Sequence, residues 1–338
     1  MPSNSPIEYP TPSILGVTST GCDLCHSTDF SVLFDALEGN SRIVICENCR
    51  LIYVSPPLSP EALDRFYDDV FNNDSGCQVR VGSNFPRDKD RKKEEVLAET
   101  SGIKTIKRFI EPRGKKILDL RCRTGALTSI LKQEGANVIG VEPFRGNTNY
   151  ARQVRGLTNI IDLPFSRFHQ LPSPHDEYFD MVNILSHHVL AHVLSPRRLL
   201  EHIFRALKPG GYIFLDEKDV LHPVRHKMQS ALDSGPAHQF HFTLYTTARY
   251  FSAIGFNLLE YEIDKNRSSD FRHIRIVAQK PKESRSTAVV SKNAYPESPP
   301  SVKAIRQRLW WLERAWNLRL VKMQIIRKSL KIWHRLGL

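Results

Sequence analysis

Apolar and polar positions in the middle of the chain alternate in two rhythms. From Lys115 onward, short apolar runs (KKILDL, ANVIGVEP, LTNII, FDMVNIL, GYIFLD) are separated by stretches whose apolar residues recur three and four apart. The first rhythm predicts buried strands, the second amphipathic helices. The helices are TGALTSILKQEG, a segment near 147–155, and a stretch opened by Ser195-Pro196 that runs to Leu207 and ends at KPGG. Alternation of this kind implies a parallel sheet with helices on both faces. GFNLLEYEI and FRHIRIVAQK then follow with no helix between them. So short a connection requires an antiparallel pair. The expected fold is α/β, a doubly wound Rossmann-like sheet with one antiparallel strand at its end.

Upstream, Ser59-Pro60-Glu61 reads as an N-cap followed by proline at the first helical position. Leu63, Phe66, Tyr67 and Phe71 continue it at helical spacing. A loop is predicted over 72–87, then a charged helix to about residue 111, which Gly102 weakens. The chain divides into a mobile N-terminus (1–17), a cysteine-bearing module (18–58), a helical connector (59–111), the α/β domain (112–280), a Pro/Ser-rich linker (281–300) and a last helix (301–338). In that helix Ile305, Leu309, Leu312, Trp316, Leu320, Met323, Ile326, Leu330 and Trp333 form one apolar stripe.

Composition adds constraints. The 338 residues are 41% hydrophobic and 25% charged, ordinary globular values. No apolar run approaches the roughly 18–20 residues of a membrane-spanning helix. The first Lys or Arg is Arg42, so no secretory leader is expected and the protein is placed in the cytoplasm. The net charge is +12, but residues 281–338 carry 13 Lys/Arg against 3 Asp/Glu. The rest of the chain is close to neutral, which argues against a nucleic-acid substrate.

Cys22-x2-Cys25 and Cys46-x2-Cys49 are two knuckles with 20 residues between them. Paired knuckles bring four thiolates to one tetrahedral Zn²⁺, as in a zinc ribbon. Four sulfur ligands close the shell, so the metal is expected to be structural. Two redox CxxC motifs are the alternative. Cys77 and Cys122 are left over as plain thiols.

ILDLRCRTG runs from strand into helix, and Glu142 ends the next strand, where a carboxylate can hold ribose hydroxyls. This layout resembles class I S-adenosylmethionine-dependent methyltransferases. FDMVNILSHHVLAHV, LKPGGYIFLD and HFTLYTTARYFSAIGF extend the resemblance, and the ribbon in front makes it similar to members with an N-terminal zinc-binding domain. Many of those act on nucleotide-linked sugars or cell-surface glycans. The resemblance implies S-adenosylmethionine as cofactor and a small-molecule or glycan acceptor. It assigns the methionine end to the turn from Asp119 to Gly125 and the ribose to Glu142. The family's D-x-G-x-G-x-G turn is altered, because Arg121 and Arg123 replace two glycines. Arginines here fit either a site re-tuned toward an anionic ligand or a pseudo-methyltransferase that binds or scaffolds without catalysis.

Methyl transfer needs alignment, and a base if the acceptor must lose a proton. His187 and His188 after the fourth strand and His241 before the last helix of the domain are the candidates, His241 first by resemblance. Asp216 and Glu217 end the fifth strand and could orient an acceptor. The basic helix at the C-terminus suits an anionic membrane surface, at the inner face, or packing on the domain or pairing with a second copy, with nucleic acid behind these. As the sheet looks complete by Lys280, a chain ending near residue 285 is expected to fold alone.

Overall fold

The computed structural model describes residues 21–34, 41–68, 88–171, 178–185, 188–223, 238–264, 271–282 and 300–312. Ser59 caps helix α1 (Pro60–Tyr67) by accepting from the Ala62 N–H at 3.1 Å. Ser195 caps α7 (Pro196–Ala206) through the Arg198 N–H, also at 3.1 Å. Both serine-proline starts therefore act as the sequence implied. Helices α2 (Asp88–Leu97) and α3 (Ile103–Lys107) are joined by a π-helical turn, Ala98–Gly102. A Cβ on Gly102 would lie 3.2 Å from Leu127, so the glycine that weakens the helix also lets it approach its neighbour.

The large sheet contains β4 (Lys116–Leu120), β5 (Asn137–Glu142), β6 (Ile160–Asp162), β7 (Phe179–Ile184), β8 (Leu207–Pro223), β10 (Asn257–Asp264) and β11 (Phe271–Gln279). Their order is β10-β11-β8-β7-β4-β5-β6. The five strands from β4 to β8 are mutually parallel along the sheet. β11 is the reversed strand, antiparallel to both β8 and β10, and it lies between them instead of at the sheet edge. Helices α4 (Ala126–Gln133), α5 (Arg145–Gln153), the short α6 (Val189–His192), α7 and α8 (Leu244–Ile254) lie between the strands along the chain. Buried Leu118, Val182, Leu215 and Ile276 belong to one core with Leu199, Leu200 and Phe251 of the covering helices.

The cysteine module forms a second sheet from β1 (Phe30–Phe34), β2 (Arg42–Cys46) and β3 (Ile52–Ser55). Its fourth strand, β9 (Phe240–His241), comes from the far end of the chain and pairs with Ile52 and Tyr53. Gln239 fastens this junction: its carbonyl accepts from Val54, its side chain from Leu58, and its N–H donates to Ala191. The boundary expected at residue 58 is thus crossed by a strand.

The tail begins as a helix over 302–312, here α9. Its Ile305 and Leu309 are buried against Ile43, Ile45 and Ile52 of the small sheet and Val220 of β8. A chain ending near residue 285 would uncover those side chains, so the expected independence of the tail does not hold for its first turns. Residues 313–338, which carry Trp316, Trp333 and most of the stripe, lie outside the described residues. No helix among the described residues is long and apolar enough to cross a membrane.

Candidate cofactor cradle and cysteine site

The sites are built at the carboxyl ends of the parallel strands, where an open α/β sheet collects ligands. β4 delivers Arg121, β5 Glu142, β6 Asp162, β7 leads to His188, and β8 carries Asp216 and Glu217.

The backbone after β4 keeps a glycine-like path without the glycines. Arg121, Arg123 and Gly125 have φ of +58°, +54° and +79°. An L-residue in the left-handed region costs roughly 1–2 kcal/mol. The path must therefore be held by its surroundings. One holding contact is the Arg123 N–H, which donates to Glu142 Oε2 at 2.9 Å. Another is Glu94 of α2, buried over the start of α4. It accepts from the Thr124 and Ala126 N–H groups at 3.4 and 3.3 Å and lies 3.6 Å from the Arg123 guanidinium. A carboxylate at a helix N-terminus is stabilised by the oriented backbone dipoles.

Asp119 turns inward. It accepts from Thr128 at 2.6 Å and from Asn183 at 2.7 Å, and burial pushes its carboxyl up to about 6. Glu142 is fully enclosed at 0% exposure. Its Oε1 accepts from Phe144 N–H and Asn147 at 3.2 and 2.8 Å, while Oε2 holds the Arg123 N–H. Burial raises its carboxyl to about 7, with Arg121 pulling the other way.

The Arg121 side chain lies across the rings of Phe144 and Phe165, its guanidinium carbon 5.7 and 5.5 Å from their centroids. Burial lowers its pKa to about 10, and the Glu142 charge offsets part of that. Tyr67 closes the cluster, packing on Phe144 and Phe165 and sharing a 2.5 Å hydrogen bond with His192 Nδ1. Outside this lid a cavity of about 240 Å³ remains, lined among others by Tyr67, Pro143, Arg145, Asp162 and Phe165. That is below the roughly 300 Å³ at which ligand pockets begin. The residues fit a nucleoside cofactor at one end: Asp162 and the rings beside it can take a base. At the ribose end Glu142 is enclosed, with its oxygens held by Arg123 N–H, Phe144 N–H and Asn147.

The histidines separate. His241 sits on β9, buried, and burial with the nearby Lys218 lowers its pKa to about 3. An imidazole so reluctant to charge is a poor proton acceptor at neutral pH. His187 lies outside the described residues. His188 adopts φ +56° and brings Nδ1 to 3.5 Å from Glu217 Oε1. Glu217 also accepts from the Leu190 N–H at 3.1 Å.

The four cysteines converge. Cys22 and Cys49 sulfurs are 3.3 Å apart, Cys25 and Cys46 3.5 Å, and all four lie within 4.8 Å of one another. None is disulfide-bonded. A tetrahedral Zn²⁺ with bonds of 2.3 Å needs sulfurs about 3.8 Å apart, so this donor set can hold one. The Cys49 N–H points at Cys46 Sγ at 3.4 Å, as expected where a thiolate needs a donor.

Sequence reasoning missed Asp162, Tyr67, Glu94 and His273. Asp162 could have been found, since it ends a parallel strand as Glu142 does. The other three become neighbours of the site only through tertiary packing.

A methyltransferase-domain family matches residues 91–261, just over half of the chain. Over 103 residues the chain is 32% identical to the ubiquinone biosynthesis O-methyltransferase of Pseudomonas entomophila (strain L48), covering 30% of this chain and 43% of that protein. It is 29% identical over 106 residues to the mitochondrial ubiquinone biosynthesis O-methyltransferase of Rattus norvegicus, covering 30% of each. The chain therefore spans less than half the length of these curated relatives. A solved S-adenosylmethionine-dependent methyltransferase from Mesorhizobium loti superposes with a TM-score of 0.45 at 18% identity, over 55% of this chain and 100% of that one.

Proposed function

We propose that this chain, which belongs to the methyltransferase-domain family, transfers a methyl group from S-adenosylmethionine to a small-molecule acceptor. The observation that carries this reading is the row of side chains at the strand ends. Asp162 would take the adenine, Glu142 the ribose, and the Asp119–Gly125 turn the methionine end. The bound cofactor supplies an electrophilic methyl group on a sulfonium. The protein's part is to align the acceptor and to exclude water.

Arg121 is central to this reading. A guanidinium beside a sulfonium is repelled. In our proposal, binding drives Arg121 off Phe144 and Phe165 and frees Glu142. Arg123, paired with Glu94, stays as the cationic partner for the methionine carboxylate.

The acceptor is proposed as a small molecule bearing a hydroxyl, on the strength of the relatives' names. A nucleotide-linked sugar or glycan rests on the ribbon resemblance alone. The same proposal includes one structural Zn²⁺ on Cys22, Cys25, Cys46 and Cys49, and the basic tail at an anionic membrane surface.

Calorimetry with S-adenosylmethionine and S-adenosylhomocysteine on the purified chain tests the central claim. Saturable binding that Glu142→Ala weakens supports it. Absence of binding by both wild type and Arg121→Gly leaves a non-catalytic member of the family.

A further inference from the structure

A second group of ligating side chains stands at the carboxyl edge of the sheet, apart from the cysteines. His188 Nδ1 or Nε2, a carboxylate oxygen of Asp216 and a ring nitrogen of His273 all lie within 4.8 Å of one another. They reach this point from three elements. His188 follows β7, Asp216 is on β8 just past the level of Ile184, and His273 is near the start of the reversed strand β11. His273 Nδ1 hydrogen-bonds Asp216 Oδ1, and the His188 and His273 rings lie 4.9 Å apart, tilted by 50°. Glu217 adds a second carboxylate, 3.5 Å from His188 Nδ1.

A histidine–aspartate hydrogen bond alone would explain His273, but it does not explain His188. That residue holds a left-handed backbone, φ +56°, which costs a non-glycine residue energy. With this backbone its Nδ1 lies 3.5 Å from Glu217 and its ring centre 4.9 Å from that of His273. Both histidine side chains are about one-fifth exposed, at 18% and 20%, so the cluster has an entry path. Arg275 approaches Asp216 Oδ2 at 3.8 Å and is itself 3.7 Å from Glu262. It engages the oxygen that His273 does not, and leaves Oδ1 among the imidazoles.

We propose that His188, Asp216 and His273 form a binding site for one divalent first-row transition-metal ion. Two imidazoles and a carboxylate suit such ions, and three protein ligands leave a position for water or another oxygen ligand. Metal–ligand bonds near 2.1 Å in a tetrahedral shell place ligands about 3.4 Å apart. Ligand atoms within 4.8 Å of one another reach that spacing by side-chain shifts of about an ångström. The site differs from the cysteine cluster in chemistry, because nitrogen and oxygen donors accept Mn²⁺, which thiolates disfavour. It is independent of the methyl-transfer reading, since its test reads metal binding alone.

The experiment is a Mn²⁺ titration of the zinc-loaded full chain, with free Mn²⁺ followed by its paramagnetic resonance signal and zinc content measured throughout. One Mn²⁺ per chain should bind while zinc stays at one. Asp216→Asn and His273→Ala should each weaken binding at least tenfold. His188→Asn tests the third ligand in a residue that tolerates the left-handed backbone, so it keeps the test valid if a strand variant fails to fold. It too should weaken binding. No saturable Mn²⁺ binding by the wild-type chain, binding only as zinc is lost, or unchanged affinity in folded His188→Asn overturns the proposal.

Discussion

Tyr250 of α8 donates its hydroxyl hydrogen bond to Asp23, 2.8 Å away and 227 residues earlier, in the loop between Cys22 and Cys25. The same carboxylate accepts from Ser195 Oγ at 2.5 Å and from Arg197 N–H at 3.0 Å. The cysteine knuckle is thus tied to the start of α7 and to the body of α8. Asp23→Ala should cost about 1.5–3 kcal/mol, the range for a hydrogen bond to a charged group. Urea denaturation checks this, with Tyr250→Phe expected at the lower end.

Zinc removal should be felt beyond the ribbon. Purified chain should contain one Zn²⁺, and Cys46→Ser should lose it. Because Asp23 sits inside the first knuckle, the same substitution should also lower the melting temperature seen by probes in α7 and α8. Elemental analysis with circular dichroism measures both. Zinc-free wild-type protein with an unchanged melting temperature would count against a structural metal.

Arg121→Gly should relieve a left-handed residue and open the cradle, so affinity for S-adenosylmethionine should rise. It should also lower stability at neutral pH, because Glu142 loses the charge that offsets its burial. Two buried cation–π contacts, each worth up to about 2 kcal/mol, are lost with it, against the roughly 1–2 kcal/mol of strain released. Calorimetry and denaturation on one preparation separate the two effects.

The buried acids set a pH dependence. Asp119 at about 6 and Glu142 at about 7 both titrate above their unfolded values. The native chain therefore binds more protons than the unfolded chain between about pH 4 and 7. Their contribution is full below that window and is lost as pH rises through it. Stability attributable to them should be greater at pH 5 than at pH 7.5. Glu142→Gln should flatten the slope, which equilibrium unfolding across that range would show.

The tail prediction changes with the packing of α9. Ile305→Ala and Leu309→Ala should each cost about 2–5 kcal/mol, the usual range for such truncations in a core. A chain ending at residue 299 should bind a hydrophobic dye that the full chain does not. Trp310 and Trp311 are about half exposed, at 50% and 56%, and remain available to a surface. Full-length protein should co-sediment with anionic vesicles and release with salt. Indifference to vesicles together with a dimeric mass would make the helix an oligomerisation element instead.

Much of the architecture was legible because it rests on local rules. Serine-proline pairs at 59 and 195 cap helices wherever they stand, and CxxC spacing brings sulfurs together through two short turns. The antiparallel pairing of the last two strands followed from their short connection. What escaped was long-range. Nothing around Phe240 marks it as a partner for Tyr53, since two residues are too few for a period. Glu94 looks like a solvated charge on a polar helix, and only the docking of α2 onto α4 buries it. His273 reads as one more residue of a strand until the antiparallel register sets it beside Asp216. Arg121 was legible as a departure, but its side chain's resting place on Phe144 and Phe165 depends on the packing of three separate segments.

β9 has a consequence for the order of events on the ribosome. The small sheet's fourth strand emerges about 190 residues after β3, so the first three must wait, edge exposed, for almost the whole α/β domain to be synthesised. Closure across so long an interval is slow relative to local pairing. An unpaired edge is a template for other chains. The cysteine module is thus made before the α/β domain yet completed only with it, and nascent chains halted before Phe240 should be the ones that chaperones retain.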